Sequence, residues 1–204
     1  MQIENHKEEV PFAHYEQQFR AAQPEEMAER TGSPWDGKEF SITLLGTRYA
    51  ISHPDCRFRM PEQAGKEATI PLPTKTFLLR WLLTGTNAPW QGSWQTFREM
   101  PWGELYIKPY TGRVLTRAAF TFGTRLEAFR AAAEKLGATP VSHGDAGYRF
   151  ELLPGFFMEI FAWSPDEEFP PNAQVLYSDN FRALAAEDRV VAGDILISTL
   201  KAHM

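Results

Sequence analysis

Between Phe77 and Leu83 the chain reads FLLRWLL, with only Arg80 breaking the apolar run. Extended from Thr74 to Thr84, this stretch predicts a helix that is apolar almost all round, with Gly85 as its stop. Such a helix is stable in water only when other elements enclose it. It is also far short of the ~20 apolar residues that cross a bilayer. The chain must therefore build a core around this segment.

The flanking segments supply the layers. Phe12, Tyr15, Phe19 and Ala22 recur at helical spacing. Pro24, followed by Glu25 and Glu26, starts a second short helix that Thr31-Gly32-Ser33-Pro34 ends. Phe40 to Leu45 and Thr47 to Ser52 read as a hairpin turning at Gly46, with His53 to Gly65 as loop. Leu105 and Ile107 suggest a strand over Gly103 to Tyr110. Thr124 and Glu127 form a T-x-x-E capping box for a helix that runs to Leu136 and closes at Gly137. Tyr148 to Leu153 and Phe156 to Trp163 are strands joined by Pro154-Gly155. Ser164 to Pro171 is loop. A short helix follows Asp179, then a longer one spans Glu187 to Leu200, with Val191, Ile195 and Leu200 on its core face. The expected fold class is α+β: a single domain over 1–204, with a mainly antiparallel sheet, helices at both ends and a buried central helix.

Charge and cysteine usage narrow the partners. With 21 basic against 26 acidic residues the formal net charge is -5, so nucleic acid is not an expected partner. A single cysteine, Cys56, excludes a disulfide within the chain and a Cys-only metal site. The first residues, MQIENHKEEV, lack the apolar stretch of a signal peptide, and a soluble cytoplasmic location is the expectation.

No glycine-rich phosphate loop and no G-x-S-x-G elbow occurs. Cys56 lies in His53-Pro54-Asp55-Cys56-Arg57, where a nearby His and Arg would lower a thiol pKa if they faced it. The five histidines, His6, His14, His53, His143 and His203, are scattered without ligand spacing. Asp145 follows His143-Gly144 in a turn, while Asp166-Glu167-Glu168, with Asp179 further on, forms the main acidic group. Clustered carboxylates can bind a hard cation such as Mg²⁺ or shift one another's pKa for acid–base work. Trp90, Trp94, Phe97, Trp102, Tyr106 and Tyr110 fall within one short region, bracketed by Arg98 and Arg113. Rings with an arginine at the rim would suit a flat, anionic ligand.

In order, the chain presents the Tyr15 helix, Leu45-Gly46-x-x-Tyr49 and the Leu78–Leu83 helix. Gly92-x-Trp94-x-x-Phe97-Arg98-Glu99-Met100-Pro101 and Gly103-x-x-Tyr106 follow, then Asp145, Pro154, Trp163, Asp166-Glu167-Glu168-Phe169-Pro170 and Glu187-Asp188. This order resembles the bacterial and archaeal family catalogued as domain of unknown function 3786, over about residues 10 to 200. The resemblance implies no reaction. It implies a place near anaerobic redox or corrinoid metabolism, because some members carry an added iron–sulfur domain. A four-iron cluster needs about four Cys ligands, and this chain has one.

Two readings follow. The leading one is an accessory domain that binds a small anionic or tetrapyrrole-like ligand, or an iron–sulfur or corrinoid protein, through Trp94, Arg98, Tyr106 and Arg113. The alternative is a carboxylate-dependent enzyme using Asp145 and the Asp166–Glu168 group, with Mg²⁺ as a candidate cation. No cofactor can be named from the residues alone.

Overall fold

The computed structural model describes residues 8–63 and 69–204. His6 and Gly65 lie outside the described residues. The fold is mixed α+β, with two antiparallel sheets. The chain divides into two compact units, Met1–Asn87 and Ala88–Met204.

In the first unit, α1 (Glu9–Ala21) and α2 (Pro24–Thr31) precede a hairpin of β1 (Glu39–Leu44) and β2 (Thr47–Ser52), to which β3 (Phe58–Arg59) adds. The segment read as loop after His53 therefore contains a short strand, too brief to show a period of two. Leu45 and Gly46 both have positive φ, 47° and 74°, as a two-residue hairpin turn of this hand requires. Helix α3 (Leu72–Thr84) is the apolar helix, with Phe77, Leu78, Leu79, Trp81 and Leu82 buried. Its end is held by Arg30, whose Nη2 donates to Leu83 O at 2.8 Å and whose Nε donates to Gly85 O at 3.0 Å. Gly85 sits at φ -66°, so left-handed geometry does not explain it. A Cβ there would lie 2.3 Å from the Trp81 ring.

In the second unit, β4 (Trp94–Thr96) leads through a 3-10 turn at Phe97–Glu99 into α4 (Gly103–Tyr110). The expected strand over Gly103 to Tyr110 is thus a helix. Its buried residues, Gly103 and Tyr110, stand seven apart, which is two helical turns, while Leu105 is exposed. Two alternating residues were too few to set a strand period. Gly103 is required by packing, since a Cβ would fall 2.0 Å from Phe97 O. Pro109, which has no N–H to donate, lies two residues before the chain widens into π-helical turns at Thr111–Thr116, with more at Ala119–Gly123.

Helix α5 (Leu126–Lys135) begins two residues after the expected cap. Thr124 still has helical dihedrals, φ -84° and ψ -6°, because it ends the preceding π-helical turns. Its hydroxyl donates back to Phe120 O, so no Thr124–Glu127 box forms. The same T-x-x-E pattern does close at Thr96 and Glu99. At the far end Gly137, at φ 70°, donates to Glu134 O while Ala138 donates to Ala133 O, a Schellman closure.

The remaining strands are β5 (Thr139–Pro140), β6 (Ala146–Leu153), β7 (Phe156–Trp163) and β8 (Asn172–Ser178), followed by a 3-10 turn at Asp179–Ala183 and α6 (Ala186–His203). The sheet order is β4-β8-β7-β6-β5. Tyr148, Phe150, Met158, Ile160, Val175 and Tyr177 share its buried face, packed toward α5 and the π-helical turns. On α6 the core-facing valine is Val190, not Val191; Ile195 and Leu200 are buried as expected.

Candidate functional site

The ring-rich segment divides among three environments. Phe97 and Tyr110 are core residues, stacked at 4.0 Å with planes 5° apart. Trp90 and Trp94 meet each other edge-on at 5.2 Å, and Phe157 packs on Trp90 at the same distance. The Arg149 guanidinium lies 5.0 Å from the Trp94 ring and makes two bonds to Glu159 at 2.8 and 2.9 Å. That group is a self-satisfied cluster on the second face of the sheet. Trp102 and Tyr106 line a cleft.

The cleft has a volume of about 520 Å³, within the usual range for a small-ligand site. One wall is the start of α4, with Pro101, Trp102, Leu105 and Tyr106; the other is Arg182 to Glu187, where the 3-10 turn passes into α6; Arg189 completes the lining. Trp102 and Leu105 are each 73% exposed, an unusual state for large apolar residues placed side by side. Trp102 also sits in the left-handed region at φ 63°, a cost for a non-glycine residue.

Arg189 gives the cleft its chemistry. It is 0% exposed. Nη2 donates to Pro101 O, and the guanidinium faces the Phe97 ring at 5.5 Å. Nε and Nη1 are buried and have no acceptor in the protein. Burial pulls its pKa down, opposed by Tyr177 and by Asp188, itself buried. An arginine nevertheless stays protonated under ordinary conditions. Its backbone is anchored from below by Tyr177, whose hydroxyl donates to Arg189 O at 3.3 Å. Nearby, Tyr106 donates to Glu187 at 2.9 Å, and Arg182 Nε donates to Gln95 Oε1 at 2.7 Å. Helix α6 starts on Ala185, which brings no side-chain cap to the positive helix end.

Of the residues singled out from sequence, Tyr106 and Trp102 line the cleft, while Trp94, Arg98, Arg113, Asp145 and the Asp166–Glu168 group do not. Arg98 pairs with Glu104 at 3.0 Å in an exposed bridge, and Arg113 pairs with Asp194 at 2.9 Å, alongside Arg117. Asp145 accepts from both the N–H and the hydroxyl of Ser164 at 2.8 Å; these bonds hold its pKa below the ordinary carboxylate value. Asp166 accepts from the N–H groups of Glu168 and Phe169, closing its own turn, while Glu167 and Glu168 are exposed. Asp179 accepts from Gln91 and Ser93. Among the described residues, no three His, Cys, Asp or Glu side chains gather to hold a metal ion.

Cys56 is buried, and burial first, then Glu16, pushes its thiol up to about 12. His53 turns away from it, bonding Phe19 O at 3.1 Å. Arg182, Glu187 and Arg189 were not read as site residues. A signal for Arg189 exists: it shares its helical face with Ala186, Ala192 and Gly193, all buried, where solvent-facing arginines do not belong.

A model of the family described as Domain of unknown function (DUF3786) matches residues 23–199, most of the chain. Neither the curated proteins nor the solved structures yield a match.

Proposed function

The chain belongs to the DUF3786 family, a membership that carries no reaction with it, and on that premise we propose that it is a small-ligand-binding domain whose site is the cleft at the start of α6. One observation carries this reading. Arg189 is fully buried at the cleft with two guanidinium nitrogens that no protein acceptor satisfies. A buried charge with unmet hydrogen bonds costs several kcal/mol, and native proteins keep such groups where a bound partner completes them. The open, concave lining beside it favours a small molecule over a flat protein surface. The acid–base alternative draws less support, because Asp145, Asp166 and Asp179 are each engaged by the loops they hold.

The test is native mass spectrometry of the full chain purified anaerobically, compared with its denatured mass. A mass lost on denaturation, and absent from an Arg189→Met preparation that stays folded, is the expected result. A retained ligand indifferent to Arg189→Met, or one that proves to be a corrinoid seated at Trp94 and Arg149, would move the site elsewhere.

A further inference from the structure

The ligand's class can be read from the lining of the same cleft, and this step rests on the reading above. We infer that the cleft takes a planar aromatic acid carrying one negative charge, with its ring on Trp102 and its carboxylate on Arg189. The acceptor end is set by Arg189, a buried cation whose Nε and Nη1 have no acceptor in the protein. The Nε and Nη1 donors lie on different edges of the guanidinium, so a carboxylate meets one of them through a single charge-assisted hydrogen bond. The start of α6 adds the positive end of an 18-residue helix to the same wall.

The charge of the ligand follows from its neighbours. Arg182 and Arg189 face the cleft together with Glu187, and Asp188 is buried beside Arg189. The two acids offset much of the two guanidinium charges. A single carboxylate completes this set, whereas a phosphate dianion adds a charge that Glu187 repels.

The other end is apolar. Trp102 and Leu105 stand exposed at the wall facing α6, held there by the backbone turn at Trp102. A strained, solvent-facing tryptophan beside a buried arginine offers a flat face to a flat ring. The volume leaves room for a substituted or fused ring rather than benzoate alone.

The experiment is calorimetric titration of the full chain, with ligand-observed NMR, using benzoate, 3-phenylpropionate, cyclohexanecarboxylate and phenylphosphate as probes. The aromatic carboxylates are expected to bind, with cyclohexanecarboxylate and phenylphosphate each weaker by about 3–10-fold. Trp102→Gly is expected to weaken the aromatic acids by about 3–10-fold and to abolish their preference over cyclohexanecarboxylate. Arg189→Met is expected to weaken every carboxylate by about tenfold or more. If that variant fails to fold, Trp102→Gly, at an exposed position, decides. Equal binding of the cyclohexane and benzene acids, tighter binding of phenylphosphate, or no binding of either aromatic acid overturns the inference. None of these outcomes touches the cleft reading, which falls only if the natively retained mass is indifferent to Arg189.

Discussion

Trp102 combines two costs in one residue. Its backbone is left-handed, at φ 63° and ψ 4°, and its ring is mostly in water. Glycine adopts that conformation freely, so Trp102→Gly should leave stability unchanged or raise it by about 1 kcal/mol. A melting temperature that falls by more than a few degrees would show that the ring packs more than its exposure suggests. A ring kept against its own backbone preference, with little packing in return, is what a binding role explains and a structural role does not. Cys56 shows the reverse case. Sequence placed His53 and Arg57 within three residues of the thiol, yet the fold buries it and raises its pKa to about 12. At about pH 8 the thiolate fraction is then on the order of 10³-fold below that of an unperturbed cysteine. Iodoacetamide labelling should be slow in the native chain and fast in urea. Equal rates would mean that the loop opens readily.

Helices and strands with a long, single-purpose pattern were legible from sequence. The Leu72–Thr84 helix and the β6–β7 hairpin follow from their own residues, because burial on all sides or an unmistakable turn dipeptide leaves few alternatives. Short elements were not. Gly103 to Tyr110 reads as a strand on two residues and folds as a helix on a spacing of seven, which only the Phe97 and Tyr110 packing makes visible. T-x-x-E occurs at Thr96 and at Thr124, and the sequence reading took the second. The deciding factor is backbone: an N-cap must be extended, as Thr96 is at ψ 159°, and Thr124 is not. Thr96→Ala should therefore destabilise the protein by about 1 kcal/mol, while Thr124→Ala costs less. The Glu99 carboxylate accepts from the Thr96 N–H and hydroxyl, which hold its pKa below the ordinary 4.5. A group whose folded pKa is depressed stabilises fully above its unfolded value and loses that contribution as pH falls through the folded one. Glu99→Gln should thus lower the urea midpoint at about pH 6 and matter little at about pH 3. A constant gap between variant and wild type across that range would place the carboxylate outside the box.

The site was half legible, because clefts are assembled by distant parts of a chain. Tyr106 was within reach of a sequence argument, since rings cluster around it. Arg182 and Arg189 arrive from about 80 residues further on, among alanines that look like ordinary helix filler. What brings them to α4 is the Ala88–Met204 unit itself. Its five strands, α5 and α6 bury their own set of large side chains, including Phe97, Tyr110, Phe129, Tyr177 and Phe181. All residues of the cleft belong to this unit. A fragment of about 117 residues is also long enough to bury well over half of the surface that its unfolded chain exposes. Residues 88–204 alone should accordingly fold cooperatively, with a dispersed NMR spectrum and one sigmoidal urea transition. They should also hold the carboxylate probes as the full chain does. A fragment that folds but does not bind would show that the cleft needs support from outside its own unit. One that does not fold would show that the family match over residues 23–199 marks a single cooperative body, and that a buried, unsatisfied arginine at its cleft can be tolerated only with the stability of the whole chain behind it.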